Sequence, residues 1–258
     1  MSRPDTTPRV VVTGVGPACS LGIGRADVWA AAVDGRSGAG EITRFDTDGF
    51  RVHMACETPL EATDFMDRRL ARRSDPMSHI ALAAARLAIE DAGLDRPDHA
   101  ASIRQGVIFS SGGGGAALRE EQHRTFMERG ADRVNPFMIP HTIVNTPAAL
   151  IAAEFGLRGP NFSTTTACAA GADAIGVAAA TIRRGEADVM VAGGSDALVT
   201  PLFVAGFDAM RVLSRSNDEP EKAARPFDRD RDGFLIGEGG AALVLETAEG
   251  AEKRGAPV

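Results

Sequence analysis

Three cysteines, Cys19, Cys56 and Cys168, are the side chains with the clearest chemical potential in this sequence, and Cys168 has the most informative surroundings. It lies in Thr164-Thr165-Thr166-Ala167-Cys168-Ala169-Ala170-Gly171-Ala172-Asp173-Ala174-Ile175-Gly176, where β-branched residues give way to an alanine-rich run. That order predicts a strand turning sharply into a helix, with the thiol at the helix start. There, unpaired backbone N–H groups and the positive end of the helix dipole favour negative charge. A thiolate forms more readily, and a developing oxyanion is easier to hold. The plainer alternative is a small cysteine buried in a tight turn. An odd number of widely spaced cysteines without CxxC spacing argues against a disulfide framework and against a structural zinc site.

The elements that must position this bend are legible as alternating apolar patterns. Residues 9–15 read as a buried strand broken by Gly14, Gly16 and Pro17, and residues 25–35 as a helix with Val28, Trp29, Ala32 and Val33 on one side. An irregular stretch follows, with a short strand near Arg51 to Ala55 in which Cys56 serves packing. A long helix is expected from Ser74 to Gly93, capped by Ser74 or Asp75. Residues 105–111 form a second strand running into Gly112–Gly115, then come a helix over 116–129, a loop marked by Pro136 and Pro140, and a helix over 142–156. The helix after Cys168 runs to about Arg184, and its alanine-rich surface allows close packing. Apolar runs at 187–193 and 241–246 supply the last strands. Strands alternating with helices indicate a layered α/β fold.

Composition narrows the function. With 44% hydrophobic and 24% charged residues the chain can bury one large core, so residues 1–258 are expected to form one domain. No apolar run reaches the length of a membrane span, and Met1 to Arg9 lack the apolar core of a signal peptide, so the cytoplasm is expected and a membrane partner is not. A net charge of −7 speaks against nucleic acid as a partner. The cations are almost all arginine, and Arg68, Arg69, Arg72 and Arg73 cluster at helical spacing. Two tempting ligand sites fail on inspection. Gly112–Gly115 lacks a following GK[ST], which argues against nucleotide binding. Asp228, Asp230, Asp232 and Gly233 begin like a calcium loop, but the closing acidic position holds Gly239. No metal site and no cofactor is expected.

Several segments together resemble the β-ketoacyl-acyl-carrier-protein synthases of the thiolase superfamily, in that family's order. They are VVVTGVGPACSLG near the start, residues 65–94, SSGGGGAALREEQ at 110–122, residues 135–176 around Cys168, ADVMVAGGSDA at 187–197 and RPFDRDRDGFLIGEGGAALVLE at 225–246. The resemblance implies the amino-terminal half of a thiolase-like layered α/β fold, a mixed five-stranded sheet with helices on both faces, with the carboxy-terminal half absent.

By the same resemblance, Cys168 is the nucleophile that takes an acyl group from acyl-carrier protein or coenzyme A, and its own N–H is one oxyanion donor. A malonyl-carrier protein then loses carbon dioxide, and its carbanion attacks the thioester, in fatty-acid or polyketide synthesis. Gly113, Met138, Leu198 and Phe207 are implied to line the acyl pocket, Met138 reaching over from a dimer partner. The absence of a side chain at Gly113 is expected to enlarge the pocket floor. Arg69, Arg72, Arg73, Arg133 and Arg211 match positions that dock the acidic carrier protein, and Asp173 departs from the family's usual histidine or asparagine. The family's two catalytic histidines, its lysine and its Gly-Phe-rich loop lie further along than this chain extends. His53, His79, His99, His123 and His141 do not match them and are expected to be surface or core residues. A homodimer, or a heterodimer with another ketosynthase subunit, is expected. The alternative is a non-catalytic subunit that dimerises and docks carrier protein.

Overall fold

The computed structural model describes residues 7–258; residues 1–6, part of the Met1–Arg9 segment read above as lacking an apolar leader, lie outside the described residues. The first apolar run forms β1 (Val10–Cys19), which folds back through β2 (Gly22–Ile23) into α1 (Arg25–Val33). A small antiparallel pair, β3 (Gly40–Glu41) and β4 (Met54–Ala55), precedes α2 (Arg68–Ala71) and the long α3 (Pro76–Asp91). Next come α4 (His99–Ser102), β5 (Gln105–Ser110), α5 (Ala116–Arg129), α6 (Met138–Thr142), α7 (Thr146–Phe155) and β6 (Asn161–Phe162). The remaining elements are α8 (Ala170–Arg183), β7 (Val189–Ala197), α9 (Pro201–Ala209), α10 (Pro220–Ala223), β8 (Glu238–Thr247) and α11 (Ala248–Lys253).

The main sheet has the order β2-β1-β8-β7-β5-β6. Pairs β1/β8 and β7/β8 are antiparallel, whereas β5/β7 and β5/β6 are parallel. The sheet is mixed, as expected, but has six strands instead of five. The added strand is β2, which returns along β1 at Ala18↔Ile23 and Cys19↔Gly22, a tight reversal that the positive φ of Gly22 permits.

Alternation along the central strands sorts the core into two layers. Val107 and Phe109 of β5, Val189 and Val191 of β7, and Ala242 and Val244 of β8 face α3 and α7. Ile108, Met190, Ala192 and Leu245 point the other way, onto Ala174, Ala178 and Ile182 of α8. A third cluster, with Val52, Met54, Val204, Leu213 and Ile236, packs Leu198, Phe203 and Phe207 beside the sheet.

Three local expectations are corrected. Strand β1 is not broken by Gly14, Gly16 and Pro17 but continues through them to Cys19, paired to β8 on both sides of a register shift between Val12 and Gly14. Its glycines are where α3 rests on it: a Cβ at Gly14 would lie 2.0 Å from the Ala88 carbonyl oxygen, and one at Gly16 2.1 Å from that of Ala84. The helix expected over 142–156 starts later, as α7 at Thr146, because Pro147 in its first turn suits a helix start, and the loop expected at Pro136 and Pro140 holds the short α6. On α1 only Ala31 is buried, and Trp29 and Val33 are 70% and 67% exposed, so the apolar side of that helix does not face the sheet. Among the described residues no helix is long and apolar enough to cross a membrane.

Candidate active site

The bend at Cys168 is held from beneath by the end of β5. The Ser163 hydroxyl donates to the Phe109 carbonyl at 2.6 Å, and the Thr164 N–H donates to Ser110 Oγ at 3.2 Å. The Thr164 hydroxyl shares a 2.8 Å bond with that of Ser110 and donates to the Ala170 carbonyl at 3.0 Å. The threonines therefore bond through side chains, and the strand before the bend is confined to Asn161–Phe162. Ala167 then takes φ 53°, the left-handed region that costs a non-glycine residue roughly 1–2 kcal/mol. This reversal prevents the helix from starting at Cys168. The cysteine instead sits in a 3₁₀ turn, Ala167–Ala169, and α8 follows at Ala170. Thr166 donates its hydroxyl hydrogen bond to Asp173, one turn into α8, which ties the residue before the reversal to the helix after it.

Cys168 is exposed, in contrast to the buried cysteine that the plainer reading would require. It opens onto a cavity of about 320 Å³ walled by Ser111, Gly112, Gly194, Asp196, Gly237 and Gly239. Small residues make this possible, since a Cβ at Gly194 would come within 3.1 Å of the Gly171 Cα at the start of α8. Cys19 and Cys56 are half-buried and outside that lining, and burial pushes the Cys56 thiol up.

The glycine run beside Cys168 is not an anion cradle. The N–H groups of Gly112 and Gly113 each donate to the Asp196 carboxylate at 2.9 Å, and that of Gly114 donates to Ser111 Oγ at 2.8 Å. Asp232 of the calcium-like loop is likewise committed, accepting from the Arg215 N–H at 3.1 Å. Among the described residues no group of three His, Cys, Asp or Glu side chains could hold a metal ion.

Asp75 lies one layer further in. It is fully buried, caps α3 through the Met77 N–H at 2.9 Å and fixes the start of α5 through the Leu118 N–H at 2.9 Å. Burial outweighs both hydrogen bonds and pushes its pKa up to about 6 from 3.8. Because the folded value is the higher one, the contribution of this group to stability is fully present below about pH 4 and lost as pH rises through about 6. Between those limits the stability advantage of the native protein over Asp75→Asn is expected to shrink, by at most about 3 kcal/mol. Urea unfolding of both proteins from pH 4 to pH 8 checks this, and a constant difference contradicts it.

The structure places the other candidate residues unevenly. Gly113 and Leu198 are brought together: a Cβ at 113 would lie 2.4 Å from Leu198 Cδ2, so the leucine fills the space that was expected to enlarge the pocket. Phe207 packs against Phe203 and Phe234 with ring centroids 6.3 and 5.5 Å away. Met138 is elsewhere within one chain, in an open apolar cleft between α5 and α9 with Phe126 and Leu202. Arg69 and Arg72 are exposed on and just after α2, Arg133 is exposed in the 3₁₀ turn Ala131–Arg133, and Arg211 is exposed after α9 at φ 59°. Arg73 lies over the Phe137 ring, 4.4 Å from its centroid. None of the five histidines lines the Cys168 cavity. His79 and His141 have their pKa values lowered, chiefly by burial. Sequence reasoning missed Ser110, Ser111 and Asp196 as parts of the site; the only signal was their place at the ends of two apolar strands.

A thiolase-like layered α/β fold carrying an exposed cysteine on a strained bend beside the sheet defines the class of this protein. Residues 7–251 match the family model of the β-ketoacyl synthase N-terminal domain, and the chain belongs to that family. It is 43% identical over 251 residues to 3-oxoacyl-[acyl-carrier-protein] synthase 2 of Synechocystis sp., a match that covers 97% of this chain and 60% of that protein. Among solved structures it resembles the ishigamide ketosynthase/chain length factor, with a TM-score of 0.87 and 35% identity over 97% of this chain and 61% of the other. It also resembles a type II polyketide synthase ketosynthase solved in complex with its acyl-carrier protein, with a TM-score of 0.83 and 31% identity over 97% of this chain and 61% of the other.

Proposed function

We propose that this chain is the acyl-accepting, amino-terminal domain of a β-ketoacyl-acyl-carrier-protein synthase, over residues 1–258, with Cys168 as the nucleophile. The observation that carries this reading is the exposed thiol on a left-handed reversal, facing a cavity between glycine-rich strand ends. The Cys168 sulfur attacks the carbonyl carbon of an acyl thioester, the carbonyl electrons move onto oxygen, and collapse expels the donor's thiol with the proton. The acyl group remains on Cys168 as a new thioester. Among the described residues the Cys168 N–H has no main-chain acceptor outside its own turn, which supports its role as a donor to the oxyanion. Decarboxylation of the malonyl partner needs groups that this chain does not contribute at the cavity. A second ketosynthase subunit, identical or different, is the expected partner in the cytoplasm, as the similarity to a ketosynthase/chain length factor supports.

Mass spectrometry after incubation with an acyl-acyl-carrier protein tests the reading. A stable acyl adduct on the peptide containing Cys168 is the expected result; none would favour the docking-subunit alternative. Gly113, Leu198 and Phe207, with Met138 from a dimer partner, are proposed to contact the acyl chain. Arg69, Arg72, Arg73, Arg133 and Arg211 are proposed to meet the acidic carrier. An acidic chain docking an acidic partner needs a local positive patch. Arg72→Glu is therefore expected to slow acylation from the carrier about tenfold at low salt, with the difference fading at high salt. Transfer from an uncharged short thioester serves as the control and should be unchanged.

A further inference from the structure

We propose that Asp196, at the end of β7, is the positioning residue that holds the Cys168 turn ready for acyl transfer; this deepens, and rests on, the reading of Cys168 as the acyl acceptor. Its carboxylate gathers three donors from consecutive residues. Ser111 Oγ reaches Oδ1 at 2.7 Å, the Gly113 N–H reaches Oδ1 at 2.9 Å, and the Gly112 N–H reaches Oδ2 at 2.9 Å. Among the described residues, all the hydrogen bonds of the Asp196 carboxylate thus go to one loop. That loop lies against the residue before the nucleophile: a Cβ at Gly112 would be 3.3 Å from Asp196 Oδ2 and 3.4 Å from the Ala167 carbonyl oxygen. Ala167 is the strained residue, and such a conformation persists only where its neighbours over-determine it. The preceding residue, Ser110, grips Thr164 on the other side of the bend, so the segment 110–113 braces the turn at both ends. Asp196 is itself anchored, because the adjacent Ser195 donates to the Met77 carbonyl at 2.8 Å and fixes the strand end to α3. Gly112 carries no side chain at the one place where the loop, the carboxylate and the Ala167 carbonyl converge.

The test compares the native chain with Asp196→Ala, Asp196→Asn and the milder Ser111→Ala, following acylation of Cys168 from an acyl-acyl-carrier protein and amide hydrogen exchange by mass spectrometry. In Asp196→Asn the amide can accept on one oxygen and sets its NH₂ against a glycine N–H. Both Asp196 variants are expected to lower the saturating acylation rate about 10- to 100-fold, the scale of a misplacement near 1 Å, with the half-saturating donor concentration within about twofold of native. Ser111→Ala is expected to lower it by about threefold, because one donor of the set is lost. Exchange should quicken at residues 111–114 and 165–169 together, while the amides of β5 and β7 keep their protection. The proposal is overturned if exchange quickens at 111–114 alone, or if the saturating rate is unchanged. It is equally overturned if the loss of rate is matched by faster alkylation of Cys19 and Cys56, which would mean general loosening. Should the native chain accept no acyl group, the reading of Cys168 fails, and the exchange pattern still decides whether Asp196 governs the turn. If Asp196→Ala does not fold, the other two variants decide the question.

Discussion

Replacing Cys168 by serine is expected to lower acyl transfer to this chain by about a thousandfold while leaving its unfolding transition in place. A thiol reaches its nucleophilic anion near neutral pH, whereas a serine hydroxyl needs a base beside it, and a positioned base is worth about 10²–10⁴ in rate. Among the described residues no such base lines the cavity, since none of the five histidines does and the one carboxylate in its wall, Asp196, is occupied by three donors. Cys168→Ser thus keeps the shape of the bend and removes the chemistry. The residue is exposed, so no core packing is lost. Quantifying the acyl adduct over time, with thermal unfolding as the control, checks both halves. A serine variant acylated at the native rate would mean that the acyl group is accepted elsewhere.

A large effect on stability is expected at Gly16. A Cβ there would lie 2.1 Å from the Ala84 carbonyl oxygen and 2.5 Å from the Ala88 N, both backbone atoms of α3. No rotamer change relieves such a contact, so helix and sheet must separate. Overpacking in cores costs about 1–3 kcal/mol when side chains can adjust; with backbone on both sides Gly16→Val is expected to cost at least about 3 kcal/mol. The separation would also uncover Ala84, Ala85 and Ala88, all fully buried in the native protein. Gly176 supplies the contrast. It lies exposed in α8 with nothing within 4 Å of a Cβ, and Gly176→Ala is expected to stabilise the chain by about 0.5–1 kcal/mol through the backbone entropy removed from the unfolded state. Chemical denaturation of both variants measures the two effects. Equal effects at the two positions would contradict the close helix–strand contact.

Local pattern alone disclosed a great deal. The apolar runs at 105–111, 187–193 and 241–246 appear as β5, β7 and β8, and the cap at Asp75 and the stop at Gly93 are where the helix signals put them. Cys168 stood out because small residues flanked it, which is a property of neighbours in sequence. What the sequence could not disclose depends on residues far apart in the chain. That β1 runs through its glycines depends on α3 lying over them, about seventy residues later. That Gly113 opens no extra space depends on Leu198, and that the glycine loop binds no anion depends on Asp196, each more than eighty positions away. The reversal at Ala167 is likewise a decision of the tertiary structure: alanine does not choose a left-handed conformation by itself, and contacts such as those of Ser110 with Thr164 and of Asp173 with Thr166 flank it. The sequence singled out the candidate thiol; the packing of distant segments decided how that thiol is presented.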